Sequence, residues 1–296
     1  MKGILLTAVL LLTSILNAQI NPNWARSTSI SPAGSTFVFT FKGNLFRVAS
    51  SGGTATQLTY HKAHDYRAVW SNDGQHIAFA SDRYGNFDIF TMDALGGEAT
   101  RLTFHSNDEV PYSFSNEDTY IMFGGVRQDD VKHRQFPISV QPELYKVPIK
   151  GGRVSQVLTV PAEDVKLGPD GSFFLYHDKK GYENEFRKHH VSSITRDIWK
   201  YDLATDKHTK LTQFKGEDRT PMVSDDGKTI YYLSEESGSF NVHKFHRDNP
   251  SDNQQLTELK THPVRSLSYG NGTMAFSYDG EIYTLQDGAS PVKVNI

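Results

Sequence analysis

Histidine, carboxylate and guanidinium side chains are the groups of this chain that could carry chemistry. The histidines form close pairs at His61/His64, His189/His190 and His243/His246, but a metal site needs a third or fourth convergent ligand. The sequence has no cysteine, no G-x-S-x-G turn, no H-E-x-x-H motif and no G-x-x-x-x-G-K loop, which are the motifs of common nucleophiles, zinc sites and phosphate sites. We therefore predict no catalytic residue, no metal and no cofactor.

A second group of charged residues stands at fixed distances before a recurring turn. Acidic residues precede that turn by six positions at Asp65, Glu109 and Asp218, and by four at Asp164. Arginines are interleaved with them, at Arg67, Arg219 and Arg265.

These residues have two interpretations. If the repeated units form a ring around a central channel, these residues could line one mouth of that channel. The termini or backbone of a peptide would be held there, because guanidinium groups suit carboxylate recognition. They could equally be solvated loop residues, or carboxylates that accept backbone N–H bonds within turns.

A third candidate for partner binding lies in a long, charged segment. Two segments, 129–140 and 179–195, interrupt the otherwise regular repeat, and the second carries Arg187, His189 and His190. Long loops on a rigid scaffold often carry binding functions. They can also be surface decoration without a function.

The elements that position these residues follow from six copies of one pattern. Turn sequences recur every 40 to 56 residues, ending at Gly34, Gly74, Asp118, Gly171, Gly227 and Gly272. Each turn is followed by a short β-type run such as Ile77–Ala80, and then by a polar residue, an aliphatic residue and usually an aromatic residue, as in Asp88-Ile-Phe. A Leu-Thr pair closes five of the units, at Leu58, Leu102, Leu158, Leu211 and Leu256.

Each unit has the pattern of four strands, and such a sheet cannot bury both faces alone. The chain is therefore predicted to be all-β, a six-bladed β-propeller of four-stranded antiparallel blades. The blades are expected at 24–60, 61–104, 105–160, 161–213, 214–258 and 259–296. Because the first and last units each contain a complete set of strands, we expect an open ring without strand swap, closed by apolar packing.

The first 18 residues have a different character. A lysine precedes the apolar run 4–16, and a small residue follows at Ala18, which is the pattern of a secretory signal peptide. We expect an exported protein, periplasmic or secreted, with no membrane span after cleavage. The net charge of −3 gives no electrostatic sign of nucleic-acid binding.

The repeat resembles a known family. The run 79–92, followed by Gly96-Gly97 and Arg101-Leu-Thr, resembles the propeller repeat shared by TolB and the tricorn peptidases. The blade-four residues Gly181-Tyr182, 187–190 and 195–202 are more similar to exported tricorn-type serine peptidases.

The resemblance implies a non-catalytic, N-terminal propeller that gates or scaffolds the passage of peptides. The family's later domains, with its nucleophile and base, have no counterpart up to Ile296, so we expect a domain-sized fragment whose partners are peptides, proteins or the remaining peptidase domains. A stand-alone, TolB-like periplasmic propeller that binds proteins is the alternative. A propeller enzyme with a site assembled from distant blades is a third hypothesis.

Overall fold

The computed structural model describes residues 24–127, 141–182 and 192–296. The predicted signal peptide, most of the two inserted segments and the candidates Arg187, His189 and His190 lie outside the described residues. Among the described residues, no helix could cross a membrane.

The described chain forms six sheets, each built from four consecutive antiparallel strands. Blade one contains β1 (Arg26–Ile30), β2 (Thr36–Phe41), β3 (Asn44–Ala49) and β4 (Thr56–Gln57). Blade two contains β5 (Asp65–Trp70), β6 (His76–Ser81), β7 (Asp88–Asp93) and β8 (Thr100–Arg101). Blade three contains β9 (Val110–Phe114), β10 (Tyr120–Gly125), β11 (Glu143–Pro148) and β12 (Ser155–Leu158).

The second half of the ring repeats this order. Blade four contains β13 (Ala162–Leu167), β14 (Phe173–Asp178), β15 (Ile198–Asp202) and β16 (Lys207–Lys210). Blade five contains β17 (Asp218–Val223), β18 (Thr229–Ser234), β19 (Asn241–His246) and β20 (Asn249–Gln255). Blade six contains β21 (Arg265–Gly270), β22 (Thr273–Tyr278), β23 (Glu281–Gln286) and β24 (Val292–Lys293). The prediction of an all-β, six-bladed propeller is confirmed.

The recurring turn explains how the first two strands of each blade reverse direction. Its last residue takes a positive φ in each blade, as at Gly74 (φ 69°) and Gly227 (φ 72°), which glycine adopts without steric cost. Blade three uses Asp118 (φ 52°) instead. The Asp118 carboxylate accepts hydrogen bonds from the backbone N–H groups of Asn72 and Asp73 in the neighbouring turn, so the non-glycine residue also joins two blades.

The first strands surround the axis of the ring. Each first strand contacts the first strand of the next blade, and β1 contacts β21, which closes the circle. Six hydrophobic clusters, one for each pair of adjacent blades, fill the space between the sheets. Burial of these faces against one another is the main stabilising term that four-stranded sheets gain from a ring.

The junction between blades one and six is closed without a shared sheet. Ile30 and Phe37 of blade one pack with Ile282 of blade six in one buried cluster. Hydrogen bonds add to this packing, because the backbone N–H of Gly53 donates to the carbonyl of Asn295 at 2.8 Å. The predicted closure by apolar packing without strand swap is confirmed.

Candidate functional site

The predicted candidates that the structure describes lie at one end of the ring, which we call the mouth face. Strands alternate in direction within each blade, so the first and third strands all begin at this end. The loops between the second and third strands lie here as well, together with the connections from each fourth strand to the next blade.

A bulge interrupts the first strand of every blade near the mouth face. The pairing register shifts there in all six first strands. In five blades a residue of the bulge has a positive φ between 49° and 57°, namely Ser27, Arg67, Asp164, Thr220 and Ser266. Pro111 occupies the corresponding position of blade three, and its ring cannot adopt a positive φ. Bulges of this kind change the direction of a side chain.

Arg67 and Asp164 contact each other from two blades that are not adjacent in the ring. Nη2 of Arg67 lies 3.0 Å from Oδ1 of Asp164, although the two residues belong to blades two and four. The hydroxyl of Thr220 donates to Oδ2 of Asp164 at 3.2 Å. The bulges therefore bring side chains of blades two, four and five together near the axis, and we call Arg67, Asp164 and Thr220 the axial site.

His177 contacts both the backbone of the axial site and the neighbouring carboxylate of Glu163. Its Nδ1 accepts a hydrogen bond from the backbone N–H of Thr220 at 3.2 Å, so this nitrogen carries no proton. The proton of the neutral ring is then on Nε2, which lies 3.3 Å from Oε2 of Glu163 and can donate to it. One imidazole thus orients both a backbone bulge and a carboxylate.

The electrostatics of the axial site keep its carboxylate ionised. Burial alone raises the pKa of Asp164, but the nearby Arg67 guanidinium holds that pKa below its usual value. Burial lowers the pKa of Lys166 to about 8, and its Nζ donates to the carbonyl oxygen of Tyr112 at 2.6 Å. The site is a set of fixed charges and hydroxyls that can hydrogen-bond a polar chain.

The three acids that the turn spacing singled out are buried. Asp65 and Glu109 have no exposed surface, and Asp218 is 1 % exposed. Asp65 is paired with Arg83 at 3.3 Å and with His61 at 3.0 Å. Glu109 accepts a hydrogen bond from Nε of Arg127 at 2.6 Å. These two carboxylates therefore bind cations of their own blade.

The other predicted arginines are placed differently. Arg219 lies 3.5 Å from Oε1 of Glu217 rather than beside Asp218, and its guanidinium group stacks 4.0 Å from the ring centroid of Phe240. Arg265 is the first residue of β21, one position before the bulge residue Ser266. Of the predicted set, the structure joins Arg67 with Asp164.

Two groups of important residues were missed by the sequence patterns. Arg83 and Arg127 each lie two residues after a second strand, and the strand register brings that position beside the buried acid. The threonine of the Leu-Thr pair accepts the N–H of the first or second residue of the third strand, at Thr59, Thr103, Thr212 and Thr257. The recurrence of Leu-Thr was the available signal for the second group. The first group had no local signal.

Within the part of the chain that the structure describes, no three histidine, aspartate or glutamate side chains are grouped so that they could hold a metal ion.

Comparison with known proteins gives one family and several similar folds. The model of the tricorn protease N-terminal beta propeller domain matches residues 23–290. The crystal structure of the tricorn protease superposes with a TM-score of 0.78 at 18% identity, over 92% of this chain and 26% of that one. This chain therefore spans about a quarter of that protein's length. No match was found among curated proteins.

Two TolB structures share the fold. The putative TolB from Agrobacterium tumefaciens has a TM-score of 0.64 at 15% identity, over 80% of this chain and 82% of that one. TolB from Acinetobacter baumannii has a TM-score of 0.59 at 18% identity, over 91% of this chain and 66% of that one. At these identities the likeness concerns the fold alone. The family match covers most of the sequence, and the chain belongs to the family of tricorn protease N-terminal beta propeller domains.

Proposed function

We propose that this chain is a non-catalytic propeller that binds peptides at its mouth face and guides or holds them for a peptidase. The observation that carries the proposal is the contact between Arg67 and Asp164 past blade three, with Thr220 bonded to the same carboxylate. These groups offer ionic and hydroxyl contacts, which suit the polar backbone and termini of an extended peptide. Membership of the tricorn propeller family supports the peptidase context.

The two sides of the axis differ in a way that suits this role. The bulge residues of blades one and six are Ser27 and Ser266, which are small and neutral, whereas those of blades two and four carry opposite charges. A peptide could therefore run beside the serines while its polar groups bond to the axial site. Export is part of the proposal, because residues 1–18 have the signal-peptide pattern.

A photo-crosslinking experiment tests where peptides bind. Benzoyl-phenylalanine placed at Ser266 should form adducts with short unstructured peptides, because this position borders the axis at the mouth face. The control carries the same label at Ser251, an exposed residue of the outer strand β20. Equal labelling at both positions, or none at Ser266, would refute binding at the axis. Hydrolysis of the peptides by the purified chain would refute the non-catalytic role.

Docking of folded proteins is the second candidate function. Exposed aromatic side chains favour it, since Tyr60, Tyr84 and Phe104 of the mouth face are 74%, 65% and 71% exposed. Aromatic residues of this kind are enriched at protein interfaces. Photo-adducts with proteins but not with short peptides, at a label on Tyr84 rather than Ser266, would select this function over the first.

A further inference from the structure

Blades two and three each neutralise a buried acid with an arginine that also lies over two aromatic rings. In blade two, Arg83 pairs with Asp65, and its guanidinium carbon lies 5.4 Å and 4.8 Å from the ring centroids of Phe79 and Phe90. In blade three, Arg127 pairs with Glu109 and lies 5.6 Å and 6.0 Å from the rings of Phe123 and Tyr145. One arrangement of acid, arginine and stacked rings is thus used twice.

Blade five retains the acid and the rings but has no arginine at the corresponding position. Asp218 pairs with Ser234 in the strand register, as Asp65 pairs with Ser81. Tyr232 and His243 are opposite each other, as Phe79 and Phe90 are, with ring centroids 5.7 Å apart. The residue two positions after the second strand, which is Arg83 or Arg127 in the other blades, is Glu236. We call Asp218, Tyr232, Glu236 and His243 the blade-five site.

The blade-five site presents hydrogen-bond acceptors that have no donor. Both carboxylate oxygens of the buried Asp218 lack a hydrogen-bond partner among the described residues, and so does Nε2 of His243. Nδ1 of His243 lies 3.2 Å from Oδ1 of Asn253, whose amide nitrogen donates to Glu236 at 3.0 Å. The Nδ1 atom therefore carries the proton of the neutral ring, and Nε2 is an acceptor. Buried acceptors without partners are rare and costly.

Such a set of acceptors selects its ligand by chemistry. A guanidinium or ammonium group has several N–H donors and no acceptor, and it is attracted both to carboxylates and to aromatic faces. The site also borders a cavity of about 440 Å³, whose lining includes Ser237, Asn241 and Gln255. Ser237 follows Glu236 in the chain and Gln255 is the strand partner of His243, so the cavity lies beside the site.

We propose that the blade-five site binds the basic side chain of an arginine or lysine supplied by another molecule, in the way that blades two and three bind Arg83 and Arg127. The ligand supplies from another molecule the cation that blades two and three obtain from their own chain. This site lies between blades four and five and uses none of the axial residues, so it stands apart from the proposed peptide-guiding role.

A titration with small probes tests the proposal. At about pH 8, above the folded pKa of Asp218, calorimetry should detect saturable binding of acetyl-arginine amide but not of its uncharged citrulline analogue. Asp218→Asn should weaken binding by roughly tenfold or more, since it removes a desolvated charge from the pair. Methylguanidinium, as a separate arm, distinguishes a site for the bare cation from one that also needs a peptide backbone.

A substitution that supplies the cation within the chain gives the sharpest test. Glu236→Arg should restore the arrangement of blades two and three, abolish binding of acetyl-arginine amide and raise the unfolding temperature. Glu98→Arg is the matched control, because it makes the same charge change at an exposed residue of blade two, and it should change neither quantity. Failure of the probe to bind the unmodified protein, or equal binding by the Glu236→Arg protein, would overturn the proposal. Neither probe nor variant involves Arg67, so this outcome is independent of the axial function.

Discussion

Nη2 of Arg67 and Oδ1 of Asp164 are 3.0 Å apart, although the whole of blade three separates the two residues in sequence. The contact exists because both residues occupy the same bulge position of their first strands, with φ values of 57° and 51°. It is the interaction that links the repeat geometry to the proposed binding of peptides.

The Arg67–Asp164 pair should stabilise the fold modestly and lose this effect in acid. A double-mutant cycle with Arg67→Met and Asp164→Asn should give a coupling of about 1 kcal/mol near neutral pH, because the arginine is partly exposed. The pKa of Asp164 is lowered in the fold, so the coupling is present above the unfolded pKa near 4 and disappears as the pH falls through the folded value. Urea titrations measure it. A coupling that persists in acid would contradict this assignment.

Removal of Arg83 should be strongly destabilising, because it leaves the carboxylate of Asp65 buried without its strongest cation. We expect Arg83→Met to cost roughly 3–5 kcal/mol in the free energy of unfolding. The double variant with Asp65→Asn should recover much of that loss. Arg153→Met, which removes an exposed arginine, is the control and should change stability little. A loss in the double variant as large as in the single one would assign the effect to lost packing instead.

Asp218 should make the protein less stable as the pH rises. Burial raises the pKa of Asp218 to about 7, with further effects of the Asp197 and Glu236 charges, while the hydroxyls of Ser234 and Thr212 oppose the shift. Those hydroxyls lie near the carboxyl group but not in hydrogen-bond geometry. Because the folded state holds the proton more tightly than the unfolded state, stability falls between about pH 4 and pH 7 and is level above that range.

Asp218→Asn should therefore be more stable than the unmodified protein at about pH 8, by on the order of 3 kcal/mol, and nearly equal to it near pH 4. Chemical denaturation at several pH values provides the comparison. Parallel stability curves for the two proteins would show that Asp218 titrates normally.

The hydroxyl of the threonine in the Leu-Thr pair should contribute to the stability of the fold. Thr103 is buried, and its Oγ1 accepts the backbone N–H of Ile89 at 2.9 Å. Thr103→Val keeps the shape but leaves that N–H without a partner, which should cost about 1–3 kcal/mol. Thr54→Val, at an exposed threonine, serves for comparison. Equal stability of both variants would mean that the hydroxyl does not cap the strand.

The fold was predictable because its information is local and repeated. The turns ending at Gly74 and Gly227, the strand patterns and the Leu-Thr pairs recur six or nearly six times, and together they specify a blade. The contact between Arg67 and Asp164 was not predictable in this way. It depends on a backbone bulge with positive φ at residues that normally avoid it, and no sequence spacing reports that geometry.

The buried acids show a second limit of the sequence. Their spacing before the turn placed Asp65, Glu109 and Asp218 at equivalent positions, but not inside the protein. The spacing also did not report the partner that follows the second strand, which is Arg83 for Asp65 and Arg127 for Glu109. Only the pairing register of the strands reveals that Glu236 takes this position beside Asp218.

The binding of peptides at the axial site is the central claim, and the affinity of an Arg67 variant tests it most directly. Fluorescence anisotropy with labelled, unstructured peptides should show saturable binding to the unmodified protein and a loss of roughly tenfold or more in Arg67→Glu. Arg153→Glu, which reverses a charge at an exposed arginine of blade three, should bind as the unmodified protein does. Equal affinities for all three proteins would contradict the account.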